Sequence, residues 1–133
     1  MDYKLKKFRK FSDDRGDLVV FLKNSELGAN KKKFGQIYFV SFNKKGVVRG
    51  NHYHKKWCEW FGVVAGKVEL VLEDITTKER VVLKFNHVDD EYTRLYIGPN
   101  IAHAFRSLSP YAAILNYADG EWHADDAHPY KLL

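Results

Sequence analysis

The sequence predicts an all-β protein of one domain, a sandwich or small barrel. Three observations carry this. Apolar residues recur with a period of two through most of the chain, and the apolar runs are rich in Val, Ile, Phe and Tyr. Gly, Asn, Asp and Lys punctuate those runs. The length, 133 residues, matches one domain spanning 1–133, with no linker, internal repeat or low-complexity tract. With 45% hydrophobic and 29% charged residues, the composition is globular rather than that of a disordered tail.

The elements follow in order. Met1 to Phe11 is charged and lacks the apolar run of a secretory signal. Gly16 to Leu22 and Phe34 to Phe42 read as strands. Lys44-Lys45-Gly46 is a turn into the strand Val47 to His54. Cys58 to Glu73 is a pair of strands folded at Ala65-Gly66, a hairpin turn. Within it Val68, Leu70 and Leu72 point one way, and Lys67, Glu69, Val71 and Glu73 the other, the mark of a half-buried strand. Arg80 to Phe85, Thr93 to Ile97 and Tyr111 to Tyr117 complete the strands. The one helical expectation is a short turn within Trp122 to His128.

Composition narrows the function classes. Trp60 to Ala65 is among the longest apolar stretches, whereas a membrane helix needs ~20 residues. The single cysteine, Cys58, excludes an internal disulfide and points to a reducing compartment, so a soluble, cytoplasmic protein is expected. The net charge is +5, and Lys4, Lys6, Lys7, Arg9 and Lys10 concentrate it near the start. Such a surplus suits nucleic acid or a phosphate-bearing substrate. Without a helix-turn-helix pattern, paired CxxC or RNP-like stretch, the expectation is a small-molecule partner, with neither nucleic acid nor membrane.

Chemistry concentrates in Arg49-Gly50-Asn51-His52-Tyr53-His54. Residues two apart on a strand share a face, so His52 and His54 project together. Glu59 alternates with Phe61 and Val63, and His103 with Ile101 and Phe105, which turns both inward. Three imidazoles and a carboxylate also make a donor set for Zn, Fe, Ni or Mn. Arg15 and Arg49 each precede a glycine at a strand end, where a guanidinium can grip a pyrophosphate. Tyr38 lies on the preceding strand as a core or pocket-wall residue. Cys58 points away from the histidine face.

His-x-His, Glu59 five residues later, Gly66 seven further, then Gly98-Pro99 and His103 together resemble the two signature motifs of the cupin superfamily. That resemblance implies a double-stranded β-helix, or jelly-roll barrel. Asn100 stands where cupins usually have glycine, and Asn tolerates positive φ better than other side chains. Phe11 to Gly16, Lys45 to Tyr53 and Ala102 to Phe105 resemble the dTDP-4-keto-6-deoxyglucose 3,5-epimerases. His54-Lys55-Lys56 after Arg49-Gly50 looks more like the sugar 3,4-ketoisomerases, and Asp119 to Asp126 resembles the acidic, aromatic tail of both.

Departures favour the ketoisomerases. The epimerases have Gln where this chain has His54, and their general-acid tyrosine falls at Asn116. The resemblance then implies a homodimeric isomerase moving a ketone from C4 to C3 of a dTDP-linked sugar in deoxysugar or surface-polysaccharide biosynthesis. His52, His54 and Arg49 would be catalytic, with Arg15, Tyr38, Glu59 and His103 binding substrate and no cofactor. Glu59 is the awkward residue, since the ketoisomerases lack it. The cupin-like C-terminal domain of a bifunctional capsular-polysaccharide enzyme has it, with the same RGNHYH, and binds zinc. The alternatives are therefore a metal-dependent epimerase-like cupin with one divalent ion on His52, His54, Glu59 and His103, or a non-catalytic sugar-binding cupin.

Overall fold

The computed structural model describes residues 1–28 and 34–133. Twelve strands are formed among the described residues: β1 (Tyr3–Arg9), β2 (Phe11–Asp13), β3 (Gly16–Leu18), β4 (Gln36–Phe42), β5 (Val48–Tyr53) and β6 (Glu59–Ala65), then β7 (Lys67–Asp74), β8 (Arg80–Asn86), β9 (Glu91–Ile97), β10 (Ile101–Ser107), β11 (Ala112–Ala118) and β12 (His128–Pro129). They build one five-stranded sheet in the order β1-β9-β6-β11-β4, a second in the order β12-β5-β10-β7-β8, and the small hairpin β2-β3. All pairings are antiparallel. No helix among the described residues is long and apolar enough to cross a membrane.

The core lies between the two five-stranded sheets. Phe61 and Val63 of β6, Leu70 and Leu72 of β7, and Phe105 of β10 are buried there, as period-two patterning requires. Gly66 takes φ +71 at the β6–β7 turn, a conformation that favours glycine. A Cβ there would also stand 2.1 Å from the Tyr111 carbonyl oxygen. Val71, expected on the polar face of β7, is nonetheless buried. The C-terminal tail covers that outer face, packing Leu132 with Val71, Ala102 and Ala104.

Several boundaries differ from expectation. The Gly16 to Leu22 strand contracts to Gly16–Leu18. Phe34 to Phe42 starts at Gln36. The basic opening forms β1, whose Tyr3 and Leu5 pair with Ile97 and Leu95 of β9; two aromatics among four cations had hidden a strand that a neighbour, not its own alternation, holds in place. The turn expected within Trp122 to His128 is a single 3₁₀ turn at Ala124–Asp126.

Candidate active site

A cavity of about 320 Å³ opens between the sheets, with His52, His54, His103, Arg49, Tyr38 and Asn116 in its wall. β5 supplies Arg49 and His52, and His54 follows at its end; β10 supplies His103, directly opposite His52. Strict alternation would turn Arg49 away from His52. A β-bulge prevents this: the register jumps so that His103 faces His52 while Ala104 faces Gly50, leaving Asn51 as the extra residue. Gly50 and Asn51 adopt φ +94 and +58. Gly50 has no alternative, because a Cβ there would lie 2.7 Å from the His103 carbonyl oxygen. The extra residue puts Arg49 and both histidines on one wall.

Asn51 turns its side chain outward to the C-terminal tail. Its Oδ1 accepts from Leu132 N–H at 2.8 Å and Leu133 N–H at 3.1 Å, and its Nδ2 donates to the Leu133 carbonyl at 3.1 Å. Asn100 takes the positive φ expected of it, +66, and its N–H donates to the His54 carbonyl at 2.7 Å.

The rings converge. Centroids of His52 and His54 are 4.8 Å apart, and those of His52 and His103 are 4.7 Å apart. His54 Nδ1 lies 2.5 Å from the Asp126 carbonyl oxygen, and His103 Nδ1 lies 3.2 Å from that of Ile101. A carbonyl only accepts, so both Nδ1 atoms carry hydrogen and both Nε2 atoms present a lone pair. Burial keeps the rings neutral. It pushes His52 down to about 4, with help from neighbouring His54. His54 is lowered by burial despite the Asp126 carbonyl, and His103 falls well below the usual range through burial and its two histidine neighbours.

Glu59 is buried behind the histidines, with Oε2 3.5 Å from His103 Nε2 and 3.9 Å from His54 Nε2. Burial raises its pKa to about 8, against the pull of polar groups on Trp57, Asn116 and Tyr38. At neutral pH these contacts join a carboxylic acid to neutral imidazoles and are not ion pairs. Burial, then the Glu59 charge, also push the Tyr38 phenol upward.

The structure brings together His52, His54, His103, Arg49, Tyr38 and Glu59, as the sequence implied. It does not bring Arg15 to the cavity. Arg15 sits at the β2–β3 turn, its side chain 87% exposed and paired with Asp13 at 2.6 Å. Two contributors escaped sequence reasoning. Asp126, buried in the tail, accepts from the Lys55 and Lys56 N–H groups at 2.9 Å while its carbonyl orients His54. Burial would raise its carboxyl, but those two N–H groups and His128 hold it below its ordinary value. Trp57 lies against His54, ring centroids 4.3 Å apart. The acidic tail was visible as a pattern; which histidine it would meet was not.

Two antiparallel sheets enclosing a histidine-lined pocket define a cupin-like protein. The chain belongs to the family described as WxcM-like, C-terminal (FdtA), whose model matches residues 1–131. A TDP-4-oxo-6-deoxy-α-D-glucose-3,4-oxoisomerase of Aneurinibacillus thermoaerophilus is 28% identical over 109 residues, 82% of this chain and 73% of that protein. Among solved structures, a variant 3,4-ketoisomerase of Thermoanaerobacterium thermosaccharolyticum in complex with TDP-4-keto-6-deoxyglucose superposes with TM-score 0.78 at 21% identity, covering 95% of this chain and 86% of that one. A 3′-monoepimerase of Streptomyces bikiniensis in complex with dTDP-quinovose gives TM-score 0.83 at 18% identity, covering 96% and 68%.

Proposed function

We propose that this protein is a 3,4-ketoisomerase acting on a dTDP-linked 4-keto-6-deoxyhexose. The observation that carries the reading is the convergence of His52 and His54, neutral and beside Arg49, on one wall of the cavity. The related oxoisomerase and the ketoisomerase fold support it. A 4-ketone acidifies the C3 proton. One imidazole takes that proton, the electron pair forms a C3–C4 enediolate, and the Arg49 guanidinium stabilises the oxygen that becomes negative. The proton is returned to the C4 carbon while the C3 hydroxyl proton passes to the C4 oxygen, so a C3 ketone and a C4 hydroxyl result. His54, its Nδ1 tied to Asp126, offers Nε2 to this relay, and His52 is its partner. Tyr38, Glu59 and His103 shape the sugar site around them.

Asn116, buried where the epimerases place a general-acid tyrosine, argues against 3,5-epimerisation, because an amide is a poor proton donor. Arg49 is the cation on the cavity wall itself; Arg15 is retained as a diphosphate anchor to be tested. The outer face of the first sheet exposes Ile37, Phe39 and Val64, which supports a homodimer formed through that face. A role in cytoplasmic deoxysugar or surface-polysaccharide biosynthesis follows from the reaction class.

One observation favours a second reading. The ligand atoms of His52, His54 and His103 all lie within 4.8 Å of one another, with Glu59 beside two of them. Neutral imidazoles with inward lone pairs are a suitable set for Zn²⁺ or a similar ion. Such an ion would supply Lewis-acid stabilisation of the enediolate oxygen, and the histidines holding it could not serve as proton carriers. Metal-free catalysis is preferred because the histidine pair and Arg49 account for each proton and charge. The deciding experiment is NMR of the product made from dTDP-4-keto-6-deoxyglucose, with and without chelator. A C3-keto product in both samples is expected; loss of turnover with chelator transfers the reading to the metal.

A further inference from the structure

Asn116 of β11 is completely buried and lines the cavity, its amide close enough to Glu59 to draw that carboxyl's pKa down, yet neither Oδ1 nor Nδ2 reaches hydrogen-bond geometry with a protein group. Glu59 Oε2, behind the same wall, makes no full hydrogen bond either, with His103 Nε2 at 3.5 Å and His54 Nε2 at 3.9 Å as its neighbours. In register, Asn116 sits between Tyr38 of β4 and Phe61 of β6, so its side chain shares their inward face. Buried polar groups are rarely left unmatched, because the desolvation cost is not recovered. A leucine would fill this position without that penalty. An amide kept there implies a partner that arrives with the ligand.

The partner must satisfy an acceptor and a donor set side by side. A ketone or phosphate oxygen would serve only Nδ2, and an ammonium group only Oδ1. A hydroxyl does both, donating to Oδ1 while accepting from Nδ2. We infer that Asn116 is a substrate-recognition residue that receives a ring hydroxyl of the hexose, with Glu59 completing the polar floor beneath it. This rests on the sugar-nucleotide reading above and deepens it: the hexose, rather than the nucleotide, is what the inner end of the cavity reads.

The test uses calorimetric titration of thymidine diphosphate and of thymidine diphosphate glucose into the wild type, Asn116→Leu and Asn116→Ser, alongside wild-type turnover of the 4-keto sugar nucleotide. Asn116→Leu should weaken the glucose conjugate ~tenfold, the scale of one or two hydrogen bonds, and leave the diphosphate within about twofold. Asn116→Ser, which puts one hydroxyl in place of the amide and keeps the test valid if the leucine variant does not fold, should lose less. Unchanged affinity for both ligands would mean that an internal water is the partner and would overturn the assignment. Equal weakening of both would overturn it as well, since that marks a general distortion. A wild type that neither turns over the keto sugar nor binds the glucose conjugate more tightly than the diphosphate would instead overturn the reading beneath it.

Discussion

His52 and Glu59 titrate far from their ordinary values in opposite directions, and each direction has a consequence for stability. Folded His52 holds its proton only below about 4, against 6.5 ordinarily. The unfolded chain therefore binds more protons between those values, and stability is lost as pH falls through that window. Glu59, raised to about 8 from 4.5, makes the folded state bind more, so stability is lost as pH rises from about 4.5 to 8. Chemical denaturation across pH should show a maximum near about pH 6, and Glu59→Gln should remove the alkaline decline while keeping the acid one. For the reaction, His52→Asn and His54→Asn should each lower turnover by ~10²-fold with circular dichroism unchanged. Near-full activity in both variants would rule out the acid–base pair. The inward positions of these residues were legible because strand alternation is local. Their protonation states were not, because burial depends on everything packed around them.

At the scale of the element, the bulge in β5 decides what faces the cavity. Gly50→Ala introduces a Cβ at φ +94 against the His103 carbonyl, and should cost about 2 kcal/mol or more in urea denaturation. Asn51→Gly retains the left-handed conformation but deletes three hydrogen bonds to the tail. It should cost about 1–3 kcal/mol; an unchanged midpoint would show that these side-chain bonds add nothing beyond the backbone pairing of the tail with β5. The strands were mostly readable, with β7 nearly as expected. The bulge was not, since its signal is a glycine and an asparagine whose φ values depend on the opposing strand. Nor was the burial of Val71, which reflects a tail some sixty residues further along.

For the whole molecule, the exposed outer face of the first sheet and the exposed hairpin carrying Arg15 are the features that the single chain leaves unexplained. If that face joins two copies, Phe39→Glu should halve the mass measured by sedimentation while leaving the secondary structure intact. Arg15→Ala should raise KM with little change in kcat if the guanidinium holds the diphosphate; a fall in kcat alone would move its role to the sugar. The dependence of β5 on the tail also has a temporal meaning. His54 waits for Asp126, 72 residues later, and Asn51 for Leu132 and Leu133, 81 and 82 residues later. Contacts so distant in sequence form late, on a scale of ~milliseconds to seconds in all-β proteins. Until the tail docks, His54 lacks the Asp126 carbonyl that fixes its tautomer, so the pocket is complete only once the end of the chain has joined the sheet.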